Sequence, residues 1–298
     1  MIVGRNIFHL DQRVKRECDY IMAKYPTMAF NCQTWAGKPH KRGGGKNVLL
    51  AQEGIVTLPK NYDINWIKAN YDAVITYSIK FKETYPDIKV YNTQCPANWE
   101  SYHWLETFKG YDEKIKGICS LQTFYNWGHP LDANYMKHKV MSELNTEPYL
   151  LLHTFGPNPF GKVASYQGDL GYRHSNYNNL KKINEYLFCY AAEPMADPFW
   201  SHNYITERVF NVFKSKTILV YYGACNVRDL IPPDIFVDVR EFPSTEQLSQ
   251  YLIELSKDKK RYTDMVEKAY LWNLRTTLGD MRYQEEIYQQ AIRENPLK

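Results

Sequence analysis

The sequence predicts an α/β protein of two successive sheet-and-helix units. Three observations predict it. Short apolar runs alternate with helical stretches in the N-terminal half, the alternation restarts near residue 179, and a Gly- and Pro-rich span at 153–171 separates the two. In the first unit, 47–51 (NVLLA) reads as a strand, 64–70 as a helix and 73–78 (AVITYS) as another strand. Residues 89–91 form a short strand, 117–121 (GICSL) a stronger one, and 134–144 an amphipathic helix. The second unit runs to about 255. It holds a helix with apolar Val209, Phe210, Val212 and Phe213, then the β-branched and aromatic strand 217–222 (TILVYY), closed by Gly223. Phe236 and Val237, after Pro232-Pro233, begin the next strand. The stretch 259–295 is helical, charged on one face, and is expected to pack back across both units.

Composition narrows the class. A chain of 298 residues with 44% hydrophobic residues can bury a full core and fits two domains. A formal charge of +4 attracts phosphates weakly and is no signature of a dedicated nucleic-acid binder. Tyrosine is abundant, at 25 residues, which suits sugar or base stacking and ordinary cores alike. Cys18, Cys32, Cys95, Cys119, Cys189 and Cys225 form no C-x-x-C pair, and several sit among apolar neighbours. Buried free thiols and a reducing compartment follow. The N-terminus lacks the apolar core of a signal peptide, and no run of about twenty apolar residues could span a bilayer. The expectation is a cytoplasmic protein of a microbe or virus.

Ligands dock at strand ends and helix starts of parallel sheets, where unpaired N–H groups face anions. Glu207 and Arg208 lie in the first turns of the helix that begins there. A carboxylate accepts both ribose hydroxyls, and a guanidinium matches a phosphate with two bonds; the plain alternative is a solvent-facing pair. Glu193 follows an apolar strand. Tyr204 would offer a stacking face and Thr206 a hydroxyl, or Thr206 simply caps the helix. Glu53 follows the strand 47–51 in a turn. Lys137 lies on the helix 134–144, with Lys139 or Arg173 as alternative cations. Lys38, Lys41, Arg42 and Lys46 make a cationic, glycine-rich loop before Glu53. Its spacing is not that of a P-loop, so it reads as an acceptor contact, DNA included, or a solvated loop. No Asp-x-Asp motif occurs, and the histidines share no metal-ligand spacing.

Tyr204-Ile205-Thr206-Glu207-Arg208, the segment 236–242 (FVDVREF) and 186–193 (YLFCYAAE) together resemble the α-1,3/4-fucosyltransferases, glycosyltransferase family 10. Arg208 stands for the family's Lys, and Pro194 for the Asn after the acidic residue. The resemblance is clear over 180–272. It implies the GT-B fold: two Rossmann-like domains facing a cleft, with a C-terminal helix crossing back. It places an N-terminal acceptor domain at 1–152, a nucleotide-sugar domain at 153–272 and a returning helix at 273–298. It also implies an inverting, metal-independent sugar transfer from a nucleotide sugar, GDP-fucose favoured and a UDP-sugar the alternative, with no permanently bound cofactor. The acceptor would be a glycan hydroxyl or a hydroxymethylated DNA base. Glu53 matches the family's proposed base, Lys137 the site of a phosphate-neutralising Arg, and Glu193, Tyr204, Thr206, Glu207 and Arg208 the donor site. The competing class is a non-catalytic sugar- or nucleic-acid-binding protein that keeps the fold.

Overall fold

The computed structural model describes residues 29–32, 47–51, 53–93, 105–122, 128–144, 149–156, 165–170, 176–278 and 285–294. Among these, nine strands form two parallel sheets. The first contains β1 (Ala29–Cys32), β2 (Asn47–Ala51), β3 (Ala73–Thr76) and β4 (Val90–Asn92) in sequence order. Between them run α1 (Ile64–Asn70), whose start is capped by the Asp63 carboxylate, and α2 (Ile79–Thr84). Leu49, Ala51, Tyr62, Ile67, Val74 and Phe81 form this unit's core.

The second sheet contains β5 (Ile115–Leu121), β6 (Leu151–Phe155), β7 (Tyr186–Ala192), β8 (Ile218–Tyr222) and β9 (Phe236–Asp238), in the order β6-β5-β7-β8-β9. All seven residues of β7 are buried, as expected for a central parallel strand covered on both faces. Successive residues feed opposite cores. Phe188, Tyr190 and Ala192 join Met141 of α3 (Asn134–Leu144), Leu252 of α7 (Thr245–Leu255) and Tyr262 of α8 (Lys259–Arg275). Cys189 and Ala191 join Ile183 of α4 (Asn176–Asn184) and Phe210 and Phe213 of α5 (Glu207–Lys214). A short helix, α6 (Val227–Leu230), follows β8.

The sheets correct the expected domain boundary at 152. β5 and β6, assigned from sequence to the N-terminal unit, belong to the second sheet, where β5 pairs with β7. The buried Lys114 before β5 fixes this: its Nζ donates to the carbonyls of Asn184 and Tyr186 at 2.6 and 3.3 Å and to Thr217 Oγ1 at 3.2 Å. The division therefore falls between Asn92 and Ile115. The span 153–171, expected as a loop or interdomain linker, has its described residues within the second unit. It opens within β6, and Tyr166 returns along the outer edge of that strand to pair with Thr154.

Among the described residues, two seams join the units. Val56 and Tyr77 of the first pack with Met195 and Tyr204 of the second. At the far end α9 (Glu285–Glu294) crosses back to β4, where Glu294 Oε2 meets Lys89 Nζ at 2.9 Å and accepts from the Tyr91 hydroxyl at 2.9 Å. Among the described residues no helix is long and apolar enough to cross a membrane.

Candidate active site

The strand order of the second sheet reverses between β5 and β7, and parallel sheets bind ligands beyond the strand ends at such a switch point. Glu193 is the first residue past β7. Its N–H still donates to Tyr222 O at 2.8 Å, so the backbone holds sheet geometry one residue longer. The side chain is wholly buried. Its carboxylate accepts from the Thr206 N–H and hydroxyl, each at 2.9 Å, and from Arg208 Nη1 at 3.0 Å. Arg208 Nη1 also donates to Thr206 Oγ1 at 3.1 Å. Burial pushes the Glu193 carboxyl above its usual range, while Arg208 and the Thr206 N–H pull it back. Glu193 is thus consumed internally: it positions Arg208, whose side chain keeps 28% exposure.

Thr206 occupies the N-cap position of α5, yet its hydroxyl caps nothing and serves Glu193 instead. Glu207 opens α5 and is half-buried; its negative charge adds to the upward push on Glu193. Lys137, on α3, is 2% exposed. Burial first, and the Arg208 charge second, push its amine down to about 7, against the pull of Glu193 and Asp132. Of its alternatives, Lys139 is 48% exposed and turned to Glu143, so Lys137 is the lysine that faces the site, and Arg173 lies outside the described residues.

The loop after β8 closes the back of the cluster. A Cβ on Gly223 would lie 2.4 Å from Tyr221 Oη and 2.6 Å from Glu193 Cγ, so glycine is required there. Arg240 holds Asp238 with two bonds, Nε to Oδ1 at 2.9 Å and Nη2 to Oδ2 at 2.8 Å. It also donates to the Gly223 and Ala224 carbonyls at 3.3 and 3.0 Å. Sequence reasoning did not name Gly223, Asp238 and Arg240 as site residues. Their place at the ends of β8 and β9 was the available signal.

Glu53 follows β2 of the first unit, half-buried, with its carbonyl accepting from the Tyr62 hydroxyl at 2.8 Å. Across the seam, the Tyr204 hydroxyl donates to Glu53 Oε2 at 3.3 Å. The expected stacking role of Tyr204 is corrected here. It is 2% exposed, and its ring lies against Tyr77 with centroids 5.0 Å apart, so it joins the units instead of offering a free face. Lys38, Lys41, Arg42 and Lys46 lie outside the described residues.

The profile described as glycosyltransferase family 10 (fucosyltransferase) C-term matches residues 129–290, more than half of the chain. The chain belongs to glycosyltransferase family 10. The match contains the second-unit residues described above, from Lys137 to Arg240. An alpha-(1,3)-fucosyltransferase of Helicobacter pylori is 29% identical over 159 residues, 52% of this chain and 31% of that protein. A 4-galactosyl-N-acetylglucosaminide 3-alpha-L-fucosyltransferase of Pan troglodytes is 34% identical over 187 residues, 58% of this chain and 51% of that one. The chain spans about a fifth to about half of the length of its curated family 10 relatives. An alpha-glucosyltransferase solved with UDP and a 13-mer DNA containing a HMU base superposes with a TM-score of 0.59. It is 15% identical, with 82% of this chain and 72% of that chain covered. That likeness shows the fold, which is GT-B.

Proposed function

We propose that the protein is an inverting glycosyltransferase that moves a sugar from a nucleoside diphosphate to an acceptor hydroxyl, without a metal. GDP-fucose is the favoured donor, because the family match covers the donor side; a UDP-sugar is the alternative. The acceptor is a glycan or a hydroxymethylated DNA base. The observation that carries the reading is the buried Glu193–Thr206–Arg208 cluster beside Lys137, at the switch point of the second sheet. In this reading Arg208 and Lys137 hold the departing diphosphate and Glu207 accepts from the ribose hydroxyls. Glu53, delivered from the first unit, takes the proton of the acceptor hydroxyl as its oxygen attacks the anomeric carbon from the face opposite the leaving diphosphate.

The test is a donor screen that reads nucleoside diphosphate release from GDP-fucose and UDP-glucose, with N-acetyllactosamine or hydroxymethylated duplex DNA as acceptor. Release that depends on one acceptor and persists in EDTA is expected. Glu53→Gln should lower turnover by about 10²–10⁴-fold at unchanged donor affinity, the usual scale of general-base catalysis. Nucleotide binding without acceptor-dependent release from any pair would mark a binding protein.

A further inference from the structure

Lys137 is a phosphate-clamp candidate set apart by its burial. Arginine stays charged wherever it is placed, whereas a lysine loses its proton readily when water is removed from it. Lys137 is 2% exposed, and among the described residues no hydrogen bond or ion pair reaches its Nζ. The charged groups facing it come from three elements: Asp132 from the turn before α3, Glu193 from the end of β7 and Arg208 from α5. Both carboxylates are engaged elsewhere. Asp132 Oδ1 accepts from the Asn134 backbone and side-chain amides at 2.8 and 2.6 Å, and Glu193 is taken by Thr206 and Arg208. The amine therefore sits desolvated beside a guanidinium with no anion of its own.

We propose that at mildly alkaline pH Lys137 is uncharged in the free protein and takes up one proton as a nucleoside diphosphate binds, so that capture of the donor is coupled to proton uptake. This rests on the reading of the site as a diphosphate site. An arriving diphosphate turns the electrostatic surroundings from cationic to anionic, which favours the ammonium form. Burial and Arg208 already hold the free amine down to about 7, so the change falls within the physiological range. Affinity is then highest below about pH 7, where the free protein already carries the proton. Above that, the dissociation constant rises by about tenfold per pH unit until the bound amine itself deprotonates.

The experiment is calorimetric titration of the full chain with GDP, and with UDP where GDP gives no heat, in Tris and in HEPES at about pH 8. A phosphate's last proton leaves near pH 6, so the nucleotide brings none with it. Heats that differ between the buffers by close to one proton taken up are expected. Lys137→Arg should bind the nucleotide with no uptake and with an affinity flat in pH, its fold checked by far-UV circular dichroism. Equal heats in the two buffers, or uptake that persists in Lys137→Arg, overturn the proposal and leave the diphosphate reading standing. Absence of binding by both nucleotides at every pH tested sinks that reading and this inference with it.

Discussion

Arg208 and Glu193 show how a buried charge is kept tolerable. The Glu193 carboxylate has left water entirely, and three groups replace its hydration: the Thr206 N–H, the Thr206 hydroxyl and Arg208 Nη1. Removing the guanidinium has two consequences, loss of the proposed phosphate contact and a carboxylate left under-compensated. Arg208→Ala is expected to weaken GDP binding by about 1.5–3 kcal/mol, the scale of a charged hydrogen bond. Arg208→Lys, which restores the family's residue, should recover most of it. Unchanged affinity in Arg208→Ala, by calorimetry, would take Arg208 out of the site.

Lys137 carries its own stability signature. An unfolded lysine holds its proton to about 10.5, while the folded amine releases it near 7. Over that interval the unfolded chain binds more protons, so this residue's contribution to stability rises with pH between the two values and is least favourable below about 7. Lys114, also pushed down to about 7 by burial, has the same sign. Lys137→Met should therefore raise the melting temperature at neutral pH and flatten, but not abolish, the rise toward alkaline pH. A variant that melts lower than the parent at pH 7 would show that the buried amine is not a cost to the fold. At this scale the sequence named Glu193, Thr206 and Arg208 as candidates for one site, and the structure brings their side chains together. It could not show that Glu193 is spent on its neighbours or that Tyr204 faces Glu53, because both facts depend on pairings between distant residues.

At the scale of elements, the loop Gly223–Ala224 is gripped from both sides. The Tyr221 hydroxyl accepts from Ala224 N at 2.9 Å, and Arg240 holds the two carbonyls from β9's end. Gly223→Ala would drive a methyl into the Tyr221 hydroxyl and into Glu193 Cγ. Tyr221 and Glu193 are both fully buried, so neither yields freely, and any shift of Glu193 carries Arg208 with it. We expect a loss of about 1–3 kcal/mol in stability, typical of overpacking, accompanied by weaker GDP binding. A stable variant with parental affinity would show that the loop relaxes without disturbing the cluster. The strands at 47–51, 73–76, 186–192 and 218–222 and the helix Asn134–Leu144 were legible because each has a strong local apolar pattern. Sheet membership was not. β5 and β3 are both short buried apolar runs, and only their hydrogen-bond partners, one of them some seventy residues away, separate them into two sheets.

Among the described residues, two seams of different physics tie the units together. Near the proposed site the contact is apolar: Met195 and Tyr204 fill the space beside Val56 and Tyr77, and a Cβ on Gly54 would lie only 3.2 Å from Met195 Cε. At the other end the described side-chain contacts of α9 with β4 and its flank are polar: the ion pair of Glu294 with Lys89, both about two-fifths exposed, and the Tyr91 hydroxyl on the same carboxylate. Lys89 first, with Gln290 and Tyr91, holds the Glu294 carboxyl down to about 2, but exposed pairs of this kind are screened and contribute little to stability. The apolar seam should dominate. Met195→Ala, at a fully buried position, is expected to cost about 2–5 kcal/mol in denaturant unfolding, through lost transfer energy and the cavity left behind. It should also lower turnover, since Tyr204 loses the packing that keeps its hydroxyl on Glu53. Glu294→Ala should shift the unfolding midpoint only slightly, and the shift should vanish in high salt. If Glu294→Ala proves the more damaging, or if its effect survives high salt, the returning helix and not the Met195–Tyr204 contact is the principal tie between the units.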